Sequence, residues 1–103
     1  MKVAITSSGN TTASLIDQRF GRCAYFAVYD TDTKETLFLE NTARNADSGA
    51  GPAAVAVVAQ QGVEKIVSGE FGFKIKSMLD ELKIQMVMVK DDKTVAEIIG
   101  LLA

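Results

Sequence analysis

Two spacings of apolar residues divide this chain. Up to Glu40 they alternate or run in short β-rich stretches; beyond Pro52 they recur at helical intervals separated by short apolar runs. Residues 2–7, Lys-Val-Ala-Ile-Thr-Ser, alternate Val3 and Ile5 with smaller residues and predict a first strand. Residues 24–30, Ala-Tyr-Phe-Ala-Val-Tyr-Asp, predict a second. Asp30 to Lys34 is a turn, and residues 35–40 return as the other arm of a hairpin. Between the first two strands, residues 8–12 form a polar loop. Residues 13–23 hold no clean period and read as loop with at most a helical turn.

The second half changes character. Pro52 opens an Ala- and Val-rich stretch that Gln60-Gln61-Gly62 closes, with proline in the first turn and glycine past the end as helix boundaries. Residues 64–68 make a short buried strand ending at Gly69. Phe71, Ile75, Met78, Leu79 and Leu82 then mark one face of a helix. Residues 84–89 are a further strand. Thr94 and Glu97 have capping-box spacing, with Asp92 an alternative cap, before a last amphipathic helix carrying Val95, Ile98, Ile99 and Leu102. The order β-β-β-α-β-α-β-α predicts one α/β domain over residues 1–103, with a mixed sheet that is parallel in its second half.

Composition narrows the chemistry mainly by exclusion. The chain has no histidine, which removes the commonest general base and imidazole metal ligand, and its one cysteine cannot build an all-thiolate zinc site. A single cysteine also forms no internal disulfide, and the polar Ser7-Ser8-Gly9 interrupts the start, so the chain reads as cytoplasmic. The net charge of -2 gives no reason to expect nucleic acid, and no run of about 20 apolar residues predicts a membrane span.

Ligands of open α/β sheets bind beyond the carboxyl ends of the strands, which directs attention to three places. The first is Ser48-Gly49-Ala50-Gly51 before Pro52, where a glycine-rich approach to a helix N-terminus suits an anion. The second is Arg19-Phe20-Gly21-Arg22-Cys23: guanidinium groups hold anions, and Arg22 beside Cys23 is expected to favour the thiolate that ligates metal. The third is Gly69, which lets a ligand approach the backbone at the end of the fourth strand. Asp30-Thr-Asp32-Thr-Lys34 lacks the glycine and distant glutamate of a calcium loop and reads as a solvated turn. Residues 49–54 match G-x-G-x-x-A with Glu70 further on, so a nucleotide or phosphate-ligand binder stands as an alternative, although no strand directly precedes the motif. A protein interaction module with a vestigial pocket is another, and an enzyme would have to draw on Asp17, Asp47, Glu70 and Cys23. The loops 8–23 and 41–51, with few apolar anchors, are expected to be the most mobile part.

Arg19-Phe20-Gly21-Arg22-Cys23-Ala24-Tyr25-Phe26, Glu40-Asn41-Thr42, the glycine loop 48–52, Gly69 with Phe71-Gly72, and Thr94-Val95-x-Glu97 together resemble the dinitrogenase iron–molybdenum cofactor biosynthesis family. The resemblance covers nearly the whole chain. It implies a ribonuclease H-like fold with a five-stranded sheet of order 3-2-1-4-5, strand 2 antiparallel, and three helices. It also implies a non-enzymatic role: binding, carrying or storing an anionic metal–sulfur cluster, iron–sulfur or molybdenum-containing. The partners would be that cluster and a cluster donor or acceptor protein, with the chain a monomer or weak homodimer. Carried onto this sequence, the cluster-binding residues are Arg19, Phe20, Gly21, Arg22, Ser48, Gly49, Ala50, Gly51 and Gly69, with Cys23 as the metal ligand. Many members carry a histidine in the loop that here reads Asn45-Ala46-Asp47-Ser48-Gly49, and this chain has none.

Overall fold

The computed structural model describes residues 1–46 and 48–102. Its elements are β1 (Lys2–Ser7), β2 (Tyr25–Asp30), β3 (Thr36–Glu40), α1 (Ala50–Gln60), β4 (Val63–Ser68), α2 (Phe73–Glu81), β5 (Gln85–Met88) and α3 (Val95–Leu102). The strands form one sheet in the order β3-β2-β1-β4-β5. β2 is antiparallel to both β1 and β3, whereas β1, β4 and β5 pair in parallel. The carboxyl ends of β1, β3, β4 and β5 therefore share one end of the sheet.

Alternation along the strands feeds two cores. Ala4, Phe26, Val28 and Ile66 face α1 and α2 and pack with Ala54, Val58 and Leu79. Val3, Ile5, Ala27 and Val67 face the other way, onto Val95 and Ile98 of α3. A sheet covered on both faces explains why β1 is buried from Val3 to Ser7 without a polar face.

The element boundaries differ from the periodicity at two helices. α1 begins at Ala50, so Pro52 sits third in the helix, still within the turn whose N–H groups lack intrahelical partners. Gly62, at φ 73, ends that helix as expected. α2 does not begin at Phe71. Gly72 is extended at φ -65 and ψ 157 and starts the helix at Phe73, while Phe71 is buried in the core ahead of it. The apparent helical face was too long at both ends, and Leu82, past the last turn, is 51% exposed. At α3 the cap is Thr94, not Asp92: the Glu97 N–H donates to Thr94 Oγ1 at 3.1 Å, and the Thr94 N–H donates to Glu97 Oε1 at 3.0 Å.

Candidate functional site

The segment between β1 and β2 is built into the fold. Ile16 is paired with Ser7 and buried in the α3-side core; Phe20 and Cys23 are buried in the opposite core. To reach both, the chain passes over the carboxyl ends of β1 and β4. Hydroxyls at the end of β1 fasten it, Thr6 Oγ1 donating to the Asp17 carbonyl at 2.6 Å and Ser7 Oγ to the Gly9 carbonyl at 2.6 Å. The expectation of few apolar anchors in residues 8–23 is thus overturned by Ile16, Phe20 and Cys23.

Gly69 does permit a close approach, but by the chain itself. A β-carbon placed there would lie 2.5 Å from Gln18 Cα. The crevice beyond β1 and β4, where a ligand of an open α/β sheet would sit, is filled by residues 17–19. Phe20 likewise faces inward, with ring centroids 5.7 Å from Phe26 and 5.7 Å from Phe71.

Open surface at this end lies beside the helices. A β-carbon on Gly21 would be 3.0 Å from Gly51 Cα, and one on Gly51 would be 3.0 Å from Ile75 Cγ1. These glycines let the Arg19–Arg22 turn, the first turn of α1 and the first turn of α2 close on one another. Gly49 caps α1 at φ 78 and Gly72 caps α2; neither helix has a side-chain cap or an acidic residue in its first turn. The amino ends of α1 and α2 hence present partial positive charge side by side. The amino end of α2 escaped the sequence reading, although glycine in place of Ser, Thr, Asp or Asn before Phe73 was a usable signal. Ser48 and Gly49 are exposed, while Ala50 is buried.

The two arginines of the turn differ. Arg19 has a side chain 63% exposed, with Nε 3.9 Å from Asp17 Oδ1. Arg22 folds back, its Nη1 donating to the carbonyls of Arg44 at 2.9 Å and Ala46 at 2.5 Å. The guanidinium is therefore directed to loop carbonyls, and the thiolate-favouring surroundings expected for Cys23 do not form. The Cys23 side chain is fully buried and donates to the Phe20 carbonyl at 3.3 Å. Burial, then the charge of Asp17, pushes its thiol up to about 12, against an opposing hydrogen bond from Asn41.

Asn41 stands in the motif Glu40-Asn41-Thr42, but the sequence reading gave it no role at the site. It is 1% exposed, and its Nδ2 donates to the carbonyls of Gly21 at 3.1 Å and Cys23 at 2.9 Å. Its Oδ1 accepts the Ala43 N–H at 3.3 Å. No periodic signal separates a buried asparagine after a strand from an exposed one.

Among the acids considered for an enzyme, Asp17 accepts the Arg19 N–H at 3.0 Å and Glu70 is exposed, 3.9 Å from Lys90. Asp47 lies outside the described residues. Among the described residues, no three His, Cys, Asp or Glu side chains are grouped to hold a metal ion. A cleft of ≈ 340 Å³ between Lys2, Asp30, Glu35 and Gln61 lies at the opposite end of the sheet, away from the arginines and the uncapped helices.

The model of the family described as dinitrogenase iron-molybdenum cofactor matches residues 1–103. The chain belongs to this family. Solved structures share this fold. The apo form of the orange protein from Desulfovibrio gigas superposes with a TM-score of 0.92 at 28% identity, covering 98% of this chain and 85% of that one. A Thermotoga protein described as NifB-like and placed in the DUF35 family gives a TM-score of 0.85 at 31% identity, with 98% and 85% covered. An uncharacterized protein of Methanocaldococcus jannaschii is 30% identical over 89 residues, 84% of this chain and 72% of its own length. Among the described residues of this member, no helix is long and apolar enough to cross a membrane.

Proposed function

We propose that this protein is a non-enzymatic carrier or store for an anionic metal–sulfur cluster, held beside the amino ends of α1 and α2. The observation that carries the reading is the meeting of the Arg19–Arg22 turn with two glycine-led, uncapped helix N-termini. Arg19 and the backbone N–H groups around Ser48 to Gly51 supply positive charge to a cargo that brings its own sulfide ligands. The donor set fits such a cargo and not a bare metal ion: there is no histidine, and the one thiol is buried and protonated. In this reading Cys23 is a packing residue, while Gly21, Gly51 and Gly69 shape the site by letting its walls approach. The chain acts as one ribonuclease H-like domain in the cytoplasm. It receives or passes on an iron–sulfur or molybdenum-containing cluster through a donor or acceptor protein, without nucleic acid or membrane.

Anaerobic reconstitution tests this directly: iron with sulfide and, separately, tetrathiomolybdate, followed by desalting and visible absorption. Colour should remain with wild type and with Cys23→Ser and fall at least tenfold in Arg19→Gln. Colour lost only in Cys23→Ser would restore the thiol as ligand. No colour in any of the three, with a ligand absorbing near 260 nm copurifying instead, would replace the cluster with a nucleotide.

A further inference from the structure

Between the Arg19–Cys23 turn and the loop that follows β3, hydrogen bonds run in both directions. Asn41, at the start of the loop, donates from Nδ2 to the turn, at the carbonyls of Gly21 and Cys23. Arg22, from the turn, gives Nη1 to the loop, at the carbonyls of Arg44 and Ala46. The Asn41 N–H adds a bond to the Ala24 carbonyl at 2.9 Å. Each segment thus supplies donors to the other's backbone. Residues 42–46 bury no large apolar side chain, so these bonds are their principal attachment.

From this reciprocity we infer that Arg22 and Asn41 are positioning residues: they clasp the Arg19–Cys23 turn to residues 42–46 so that the two move as one wall of the cargo site. Arg22 then acts on the cargo through the clasp and not through its charge. Both bonds leave the one nitrogen Nη1, which the planar guanidinium holds in a fixed orientation; a lysine keeps the charge, but its shorter stem and freely rotating ammonium do not hold the same two carbonyls in that orientation. Asn41→Asp keeps the shape but turns a donor toward two carbonyl oxygens into an acceptor. This rests on the cargo site proposed above.

The test titrates tetrathiomolybdate against wild type, Arg22→Lys, Arg22→Gln, Asn41→Asp and Arg19→Gln at several salt concentrations, with amide exchange measured on each protein without the probe. Arg22→Lys and Arg22→Gln should lose affinity equally, about tenfold, and keep the wild-type salt dependence; Arg19→Gln should lose affinity and flatten that dependence. Exchange should quicken together at residues 21–24 and 42–46 in Arg22→Lys and Asn41→Asp, at least tenfold, with β1 and β4 unchanged. Wild-type affinity in Arg22→Lys, with a flattened salt dependence in Arg22→Gln, would make Arg22 a charge contact and overturn the clasp. If wild type does not bind the probe, the cargo reading fails, and exchange alone decides the clasp: joint quickening upholds it, and independent or absent quickening overturns it.

Discussion

Two connections at the same end of the sheet are fastened by different forces. Residues 8–24 reach into both cores through Ile16, Phe20 and Cys23, and their backbone is pegged by Thr6 and Ser7. Residues 42–46 bury no large side chain and attach through polar bonds to Arg22 and Asn41. The first connection is therefore part of the fold and stands or falls with it. The second is attached to the first, so substitutions can alter it while the sheet remains intact. For the carrier role proposed above, this division separates what must stay rigid from what must open.

The contrast is broken most severely at Phe20. Phe20→Ala removes a ring packed between Phe26 and Phe71 and should cost about 3–5 kcal/mol, seen as a large loss in urea midpoint. Gly69→Ala comes next. Its methyl would collide with the Gln18 backbone, so about 1–3 kcal/mol is expected, with quickened amide exchange at residues 16–20; unchanged exchange there would show that the two segments do not depend on this contact.

Cys23 sharpens the comparison through pH. Its thiol rises from an ordinary 9.0 to about 12 in the folded protein, so the unfolded chain loses its proton first as pH increases. The contribution is fully present below pH 9.0 and is lost as pH rises toward about 12. Wild-type stability should fall across that window more steeply than that of Cys23→Ala, by up to about 1.4 kcal/mol per pH unit. Iodoacetamide at pH 8 should leave the native thiol unmodified and label it in urea; rapid native labelling would mean that the 20–23 turn opens readily.

The smallest effect belongs to the second connection. Arg44→Ala takes away an exposed side chain and leaves its carbonyl for Arg22, so stability should change by no more than about 0.5 kcal/mol in thermal unfolding. A larger loss would show that residues 42–46 are integral to the fold, like the first connection.

The helices were legible because each shows its core one face, and the strands, several of them buried on both faces, because they stand as short apolar runs between turn signals. Residues 13–23 defeated that logic for a physical reason. Ile16 and Phe20 are four apart, as on one side of a helix, yet they enter opposite cores because the chain crosses the sheet end between them. The candidate site was legible in its segments, the Arg19–Arg22 turn and the glycines before α1, and not in the roles within them. Arg22 precedes Cys23 in sequence, but its guanidinium reaches away to loop carbonyls, so adjacency gave the wrong sign for the thiol. Gly69 was marked for close approach by a ligand, and in the structure it is Gln18 that approaches there.

The crossing segment also bears on the order in which the chain folds. β1 and β2 are antiparallel neighbours that a two-residue turn could join, yet β1 ends at Ser7 and β2 begins at Tyr25. Part of this excursion receives α3: the Val95 N–H reaches the Ser14 carbonyl at 2.9 Å, the Ala96 N–H reaches that of Thr12 at 2.9 Å, and Leu15 pairs with Thr94. These contacts join positions about 80 residues apart in sequence, whose closure entropy is large until intervening strands have shortened the loop. α3 thus lands on a platform made from residues that lie far earlier in the sequence. Its docking closes the core over Val3, Ile5 and Val67, and loop-closure entropy predicts that this step follows assembly of the sheet.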